Sequence, residues 1–195
     1  MEFMIVGLGN PGKEYEGTRH NTGRIVTDAF RRAHDMSMWE FDKYLQAFTS
    51  RGEVLEHAVT LVLPETYMNN SGKTVGALLK SIETPVEVVV IYDDLDLPLG
   101  TIKISYDRGS GGHHGLDSII RELKTGAFTR IRIGITPLFE GEPRKPQGED
   151  VVGNFLMKPF TPEERVVLEE VGAKVDGALA LLMKEGIARA MNVFN

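Results

Sequence analysis

Two short apolar runs, Phe3 to Val6 and Val86 to Ile91, limit what this chain can fold into. Both are rich in β-branched residues and too brief for an amphipathic helix. Runs of that kind suit strands buried on both faces, as in parallel or mixed sheets covered by helices. Leu45 to Ser50, Ala58 to Leu63, Thr101 to Ser105 and Ile131 to Ile135 are further strand candidates. Between them the apolar spacing becomes helical. Ile25, Val26, Ala29, Phe30 and Ala33 form one stripe; Val75, Leu78, Leu79 and Ile82 a second; Leu116, Ile119, Ile120 and Leu123 a third.

The last helix has the clearest start. Thr161 caps it, Pro162 takes the first helical position, Glu164 completes a capping box, and Leu168, Val171, Val175, Leu179 and Leu182 follow as its apolar face. Strand and helix signals alternate without repeat. The expectation is one α/β domain, residues 1–195, with a mixed, mostly parallel β-sheet flanked by helices. The stretch Pro137 to Asp150 has little apolar content, and its length makes it either a lid over a site or a surface excursion.

At 195 residues, 42% hydrophobic and 26% charged, the chain can bury a core as one soluble domain. No apolar run is long enough to cross a membrane. The N-terminus runs directly into a glycine-rich loop and reads as a first strand, not a signal peptide. With 0 Cys, disulfides and thiolate metal sites are excluded, and a cytoplasmic location fits. The net charge of −6 argues against nucleic-acid binding by the molecule as a whole. Its distribution is uneven: Lys103, Arg108, Arg121, Lys124, Arg130 and Arg132 outnumber Asp107, Asp117 and Glu122 between Gly100 and Arg132. That segment permits a local phosphate-binding face.

Four polar clusters fall at expected strand ends or helix starts. The first is Gly7-Leu8-Gly9-Asn10-Pro11-Gly12 with Thr18-Arg19-His20-Asn21. Its glycines match dinucleotide-loop spacing, but the first helical stripe begins only near Ile25, and no acidic residue closes a second strand about 20 residues on. A dinucleotide site is therefore rejected. The second, Tyr67-Met68-Asn69-Asn70-Ser71-Gly72, holds residues that commonly cap helices. The third, Asp93-Asp94-Leu95-Asp96-Leu97-Pro98-Leu99-Gly100, follows the most buried-looking strand, where its acids can bind metal, orient a histidine or shape a turn. The fourth, Gly109-Ser110-Gly111-Gly112-His113-His114-Gly115, lets a backbone approach a ligand at a helix N-terminus.

Sites in open α/β sheets form outside the carboxyl ends of the strands. His20 and Asp93 are expected to meet there, the carboxylate fixing the ring's tautomer as in a catalytic triad. No Gly-x-Ser-x-Gly elbow supplies a nucleophile, which leaves water. A metallohydrolase built on His20, His113, His114, Asp93 and Asp94 is the competing arrangement. Adjacent histidines rarely aim at one ion, and no helical His pair has ligand spacing.

In this order the clusters resemble the bacterial peptidyl-tRNA hydrolase family, together with Tyr15, the Arg130-Ile131-Arg132-Ile133-Gly134 strand and Ala190-Met191-Asn192 near the end. The resemblance implies a monomeric, metal-independent and cofactor-free α/β esterase acting on peptidyl-tRNA. It implies His20 as base, Asp93 as its orienting carboxylate, and Asn10 and Asn69 as holders of substrate and oxyanion. Tyr15, Tyr67, His113 and His114 match substrate-contacting positions, and Lys103, Arg108, Arg130 and Arg132 a face for tRNA phosphates. Two positions depart from the pattern. His114 stands where the family has asparagine, and Ser105 where it often has a basic residue. An RNA-binding relative that has lost hydrolysis, resembling plant organelle splicing partners, is the alternative from another class.

Overall fold

The computed structural model describes residues 1–195. In chain order its elements are β1 (Glu2–Gly7), α1 (Thr22–Ala33), β2 (Glu40–Asp42), β3 (Ala47–Val54), β4 (His57–Pro64), α2 (Ser71–Lys80), β5 (Val86–Pro98) and β6 (Ile102–Tyr106). Then follow α3 (His114–Leu123), β7 (Thr129–Thr136), β8 (Leu138–Phe139), β9 (Glu142–Pro143), α4 (Glu149–Leu156), α5 (Pro162–Glu185) and α6 (Ile187–Phe194).

Alternation along the first strand decides the layering. β1 sends Phe3 and Ile5 into one apolar core and Met4 and Val6 into another, on opposite faces of the sheet. β5 divides in the same way, Val89 and Ile91 to the first core and Val88 and Val90 to the second. The first core is completed by Val26 and Phe30 of α1, the Leu168–Val171–Val175–Leu179–Leu182 face of α5, and Ala190 of α6. Val75 and Leu78 of α2, with Leu116 and Ile119 of α3, close the second.

The seven-stranded sheet has the order β2-β3-β4-β1-β5-β7-β6. β4, β1, β5 and β7 are parallel neighbours, and the margins β2–β3, β3–β4 and β6–β7 are antiparallel. The expected mixed, mostly parallel sheet between helices is thus the architecture. At the β6 margin the Asn195 side chain accepts from Ile104 N (2.7 Å) and donates to Ile104 O (3.0 Å), so a side-chain amide covers part of the exposed strand edge.

Several boundaries differ from the sequence expectation. β5 does not stop at Ile91: it continues to Pro98 because β7 pairs with it, Asp93 opposite Ile133 and Asp94 opposite Gly134, before an irregularity ahead of Pro98. Asp93 therefore sits in the strand rather than after it. β3 starts at Ala47, since Gln46 adopts a positive φ of 49° and ends a turn there. The capping box at Thr161 is present, with Glu164 N donating to Thr161 Oγ1 (3.3 Å) and Thr161 N to Glu164 Oε2 (2.8 Å). That helix is not the last one. Gly186, at φ 82°, breaks the chain into α6. The stretch Pro137 to Asp150 contains the short β8–β9 hairpin and the opening residues of α4.

Gly23 decides how closely α1 approaches the sheet. A Cβ there would lie 2.2 Å from Ile91 O and 2.6 Å from Leu8 N, backbone atoms that cannot step aside. Gly23→Ala is expected to lower stability by about 1–3 kcal/mol through overpacking, read as a lower urea midpoint. An unchanged midpoint would mean that α1 can lift from the sheet at no cost.

Candidate active site

Leu8 continues the strand pairing of β1, donating from its N to Ile91 O (3.0 Å) and accepting from Arg24 N (3.2 Å). The chain then passes through two 3-10 turns, Lys13–Tyr15 and Arg19–Asn21, before α1 begins at Thr22. The delayed helix leaves no N-terminal amides inside the glycine loop, consistent with rejecting a dinucleotide site. Instead, the loop is held by Asn21. Its Oδ1 accepts from Asn10 N (2.8 Å) and its Nδ2 donates to Asn10 O (3.0 Å). The Asn10 side chain in turn accepts from Met68 N at Oδ1 (2.9 Å). An N–H can only be met by the oxygen of the amide, so this bond fixes the flip of Asn10 and leaves its Nδ2 hydrogens without a protein acceptor.

The second cluster thereby joins the first. Its capping explanation fails: Asn70 stands at the N-cap of α2 and makes no side-chain cap bond, while Ser71 Oγ donates to Met68 O (2.9 Å). Asn69 and Tyr67 are exposed beside Met68, and Tyr15 is half-buried in the first 3-10 turn.

Asp93 has the strand parity of Val89 and Ile91, so it projects to the face covered by α1, whose entry turn carries His20. Both side chains are buried, and His20 Nδ1 lies 3.1 and 3.0 Å from the two carboxylate oxygens. An ionised carboxylate only accepts, so Nδ1 carries the proton and Nε2 keeps a lone pair with no protein partner. A second histidine reaches the same carboxylate: His113 Nε2 is 3.3 Å from Asp93 Oδ1. The other nitrogen of that ring, Nδ1, accepts from Gly115 N (3.2 Å) and Leu116 N (3.4 Å), capping α3. Its tautomer is therefore fixed, with the proton on Nε2 pointing at Asp93.

These contacts set the charges. Burial alone would lower the His20 pKa, but the Asp93 charge and hydrogen bond outweigh it and hold the ring above its usual value. Burial alone would raise Asp93. The His20 charge and the hydrogen bonds from His113 and His20 prevail, keeping the carboxyl well below the usual carboxylate range. Tyr92, next in the strand, is pushed up to about 12 by burial and by the Asp94 charge, and stays a neutral phenol.

A cavity of about 670 Å³ opens over His20, Asp93, Tyr92 and His113 and runs along β6 and β7. His114, Lys103, Arg108, Arg130 and Arg132 line it, as do Lys145, Val152 and Leu156 from the segment after β7. Lys103 and Arg108 are exposed cations outside any ion pair. Arg132 Nε is 2.6 Å from Asp94 Oδ2. Arg130 is fully buried over the Phe128 ring (4.4 Å). One of its nitrogens donates to Arg108 O, while Nε and Nη1 have no protein partner. Tyr15, Tyr67, Asn10 and Asn69 are outside the lining of this cavity; Asn10 is joined to the His20 turn through Asn21, and Tyr67 and Asn69 flank Met68, whose N donates to Asn10.

For a metal ion, the ligand-type atoms of His20, Asp93 and His113 lie within 4.8 Å of one another. His114 and Asp94, the other members expected of a metal set, do not join them, and both rings are engaged as hydrogen-bond donors to Asp93.

Arg19 was part of a motif in the sequence but had no role there. It is buried beside His20, donates to Lys158 O (3.2 Å) and Pro159 O (2.8 Å), pairs with Glu164 (2.6 Å), and stacks on Phe155 (4.5 Å). It bolts the turn holding His20 to the start of α5. No local pattern could reveal a partner 145 residues away.

The fold and site define a single-domain α/β protein in which a buried His–Asp pair with a free ring nitrogen stands at the carboxyl edge of the sheet, beside an oriented asparagine amide. Known proteins resemble this chain over nearly its whole length, in sequence and in fold. The sequence model of peptidyl-tRNA hydrolase matches residues 4–195. Peptidyl-tRNA hydrolase of Persephonella marina is 38% identical over 98% of this chain and 96% of its own length. That of Aquifex aeolicus is 41% identical over 98% and 95%. The crystal structure of peptidyl-tRNA hydrolase from Acinetobacter baumannii superposes with a TM-score of 0.87 at 30% identity, covering 98% of this chain and 93% of that one. The chain belongs to the peptidyl-tRNA hydrolase family.

Removing Arg19 leaves the partly buried Glu164 carboxylate without its cation and the Lys158 and Pro159 carbonyls without their donor. Arg19→Met is expected to cost about 3 kcal/mol of stability, measured by chemical denaturation. A variant as stable as the parent would show that the Lys158–Glu164 segment holds the turn without it.

Proposed function

We propose that His20 is the general base with which this family member hydrolyses the ester of peptidyl-tRNA. The observation that carries the reading is the His20–Asp93 pair, with Nδ1 held by the carboxylate and Nε2 free to take a proton. Water attacks the ester carbonyl carbon as Nε2 removes its proton. The resulting oxyanion is met by the unpartnered N–H groups of Asn10, and Asn69 provides a second amide beside it. When the intermediate collapses, the ribose 3′ oxygen leaves with the proton from His20, and the peptide departs as a carboxylic acid that loses its remaining proton to solvent. An ester leaving group needs no stronger acid than imidazolium.

Tyr15, Tyr67 and His114 form the surroundings in which the peptide and terminal nucleotide lie. The cavity along β6 and β7 receives tRNA phosphates through Lys103 and Arg108, with the Asp94-held Arg132 beside them; Arg130, expected from sequence as a phosphate contact, is fully buried and contributes only its charge from behind. The segment 137–150 acts as a lid in this reading. It is exposed, its Lys145 pairs with Asp96, and Lys145 also lines the cavity. The protein works as a monomer. No helix is long and apolar enough to cross a membrane.

Release of an N-blocked amino acid from its tRNA tests the base. Parent protein should cleave and His20→Ala should not, while retaining its fold. If neither cleaves but both bind tRNA, the RNA-binding alternative replaces this one. Because the His20 pKa is raised, kcat/KM of the parent should climb with pH through a midpoint above the ordinary histidine value of about 6.5. Asp93→Asn should bring that midpoint down and lower the plateau. An identical profile in that variant removes Asp93 from the mechanism.

The phosphate reading makes a separate prediction. With about three phosphate contacts, log affinity for tRNA should fall with log salt at a slope of roughly −2 to −3. Lys103→Ala and Arg108→Ala should each reduce the slope by about 1. Binding that ignores salt would remove the basic cavity from tRNA recognition.

A further inference from the structure

We propose that His113 is a positioning residue for hydrolysis: it supplies the second N–H that holds the Asp93 carboxylate and so governs how strongly Asp93 acts on His20. The inference rests on His20 being the base. From sequence, His113 fell among the substrate contacts, but both of its ring nitrogens are committed to the protein. Nδ1 accepts from Gly115 N and Leu116 N, and Nε2 faces Asp93 Oδ1 at 3.3 Å.

Capping alone does not account for a histidine here. Asn, Asp and Ser are the preferred N-cap residues, and any of them reaches the amides of the first turn. What imidazole adds is length and a second, opposed nitrogen, so that one rigid ring spans from the start of α3 to the carboxylate on β5. Asp93 is 3% exposed, and a carboxylate so far from water depends on its donors. Oδ2 receives His20 at 3.0 Å, and Oδ1 is shared between His20 at 3.1 Å and His113 at 3.3 Å. The ring is also wedged, its centroid 5.2 Å from that of His20 and 4.8 Å from that of Tyr92.

The donation has a direction. A hydrogen bond from His113 stabilises the negative charge on Asp93 and leaves less of it to stabilise imidazolium at His20. Without it, Asp93 attracts the His20 proton more strongly, and His20 becomes a base that is occupied over more of the working pH range. The ring also loses one of the two anchors of its orienting carboxylate. The other groups around the dyad stay in place: Tyr92 and Asp94 on β5, Arg130 and Arg132 on β7, and Arg19 neutralised by Glu164.

His113→Asn separates the two duties, because asparagine keeps the cap and is too short to reach Asp93. His113→Ser, a second capping residue, repeats the test should asparagine destabilise the protein. Either folded variant, judged by its urea midpoint, should lose about tenfold or more in kcat on N-blocked aminoacyl-tRNA with KM little changed. The acid limb of kcat/KM should move up by about half a unit to one unit. A rise in KM alone would make His113 a substrate contact, and a fall in kcat with the midpoint unmoved would make it merely structural; each overturns the proposal, as does an unaltered profile. A fully active His20→Ala instead overturns the assignment of the base, whatever the His113 variants do.

Discussion

Strand β1 is buried on both faces, and most of the architecture follows from satisfying that condition. A strand with Phe3 and Ile5 on one side and Met4 and Val6 on the other must have helices above and below and hydrogen-bonded neighbours at both edges. Its parallel partners β4 and β5 meet the second requirement, and parallel pairing obliges the chain to cross over a helix each time. The carboxyl ends of β1 and β5 are then neighbours, with Gly7 paired to Ile91, and whatever follows those ends shares one edge. His20 and Asp93 are distant in sequence and adjacent in space for this reason.

The site is assembled by bonds that leave one His20 nitrogen and the Asn10 amide hydrogens without protein partners. Asn21 grips the backbone of Asn10, and Met68 N occupies the Asn10 carbonyl, which exposes the amide hydrogens. Asp93 takes the Nδ1 proton of His20 and leaves Nε2 open. Arg19 clamps the same turn to the start of α5 through Glu164, an acid that also completes the helix's capping box. The rigid parts therefore fix tautomers and amide orientations. The basic side chains along β6 and β7 line the same cavity as His20 and Asp93.

Legibility in the sequence varied with the range of the interaction. The capping box at Thr161 needed four residues and is present as read. The end of β5 was missed because the apolar pattern stops at Ile91, while the pairing that extends the strand comes from β7, some forty residues away. α6 was hidden because the preceding stripe gave no sign that Gly186 would turn the chain. The order of the polar clusters pointed to His20, Asp93 and Asn10, but their proton positions had no local signature. Nor did the burial of Arg130, which its sequence context presented simply as a cation on a strand.

Short-range chemistry in the sequence determined the two-sided strands, the helical stripes, the glycine-rich turns and the set of groups able to catalyse or bind. Those depend on contacts within a few residues, where period and residue type are sufficient. Tertiary structure decided which of those groups meet and in what protonation geometry: that Asp93 serves two imidazoles, that Asn10 turns its hydrogens outward, and that Arg19 is an internal brace. A hydrogen bond has direction and a reach of about 3 Å, so these outcomes exist only once packing has fixed both partners.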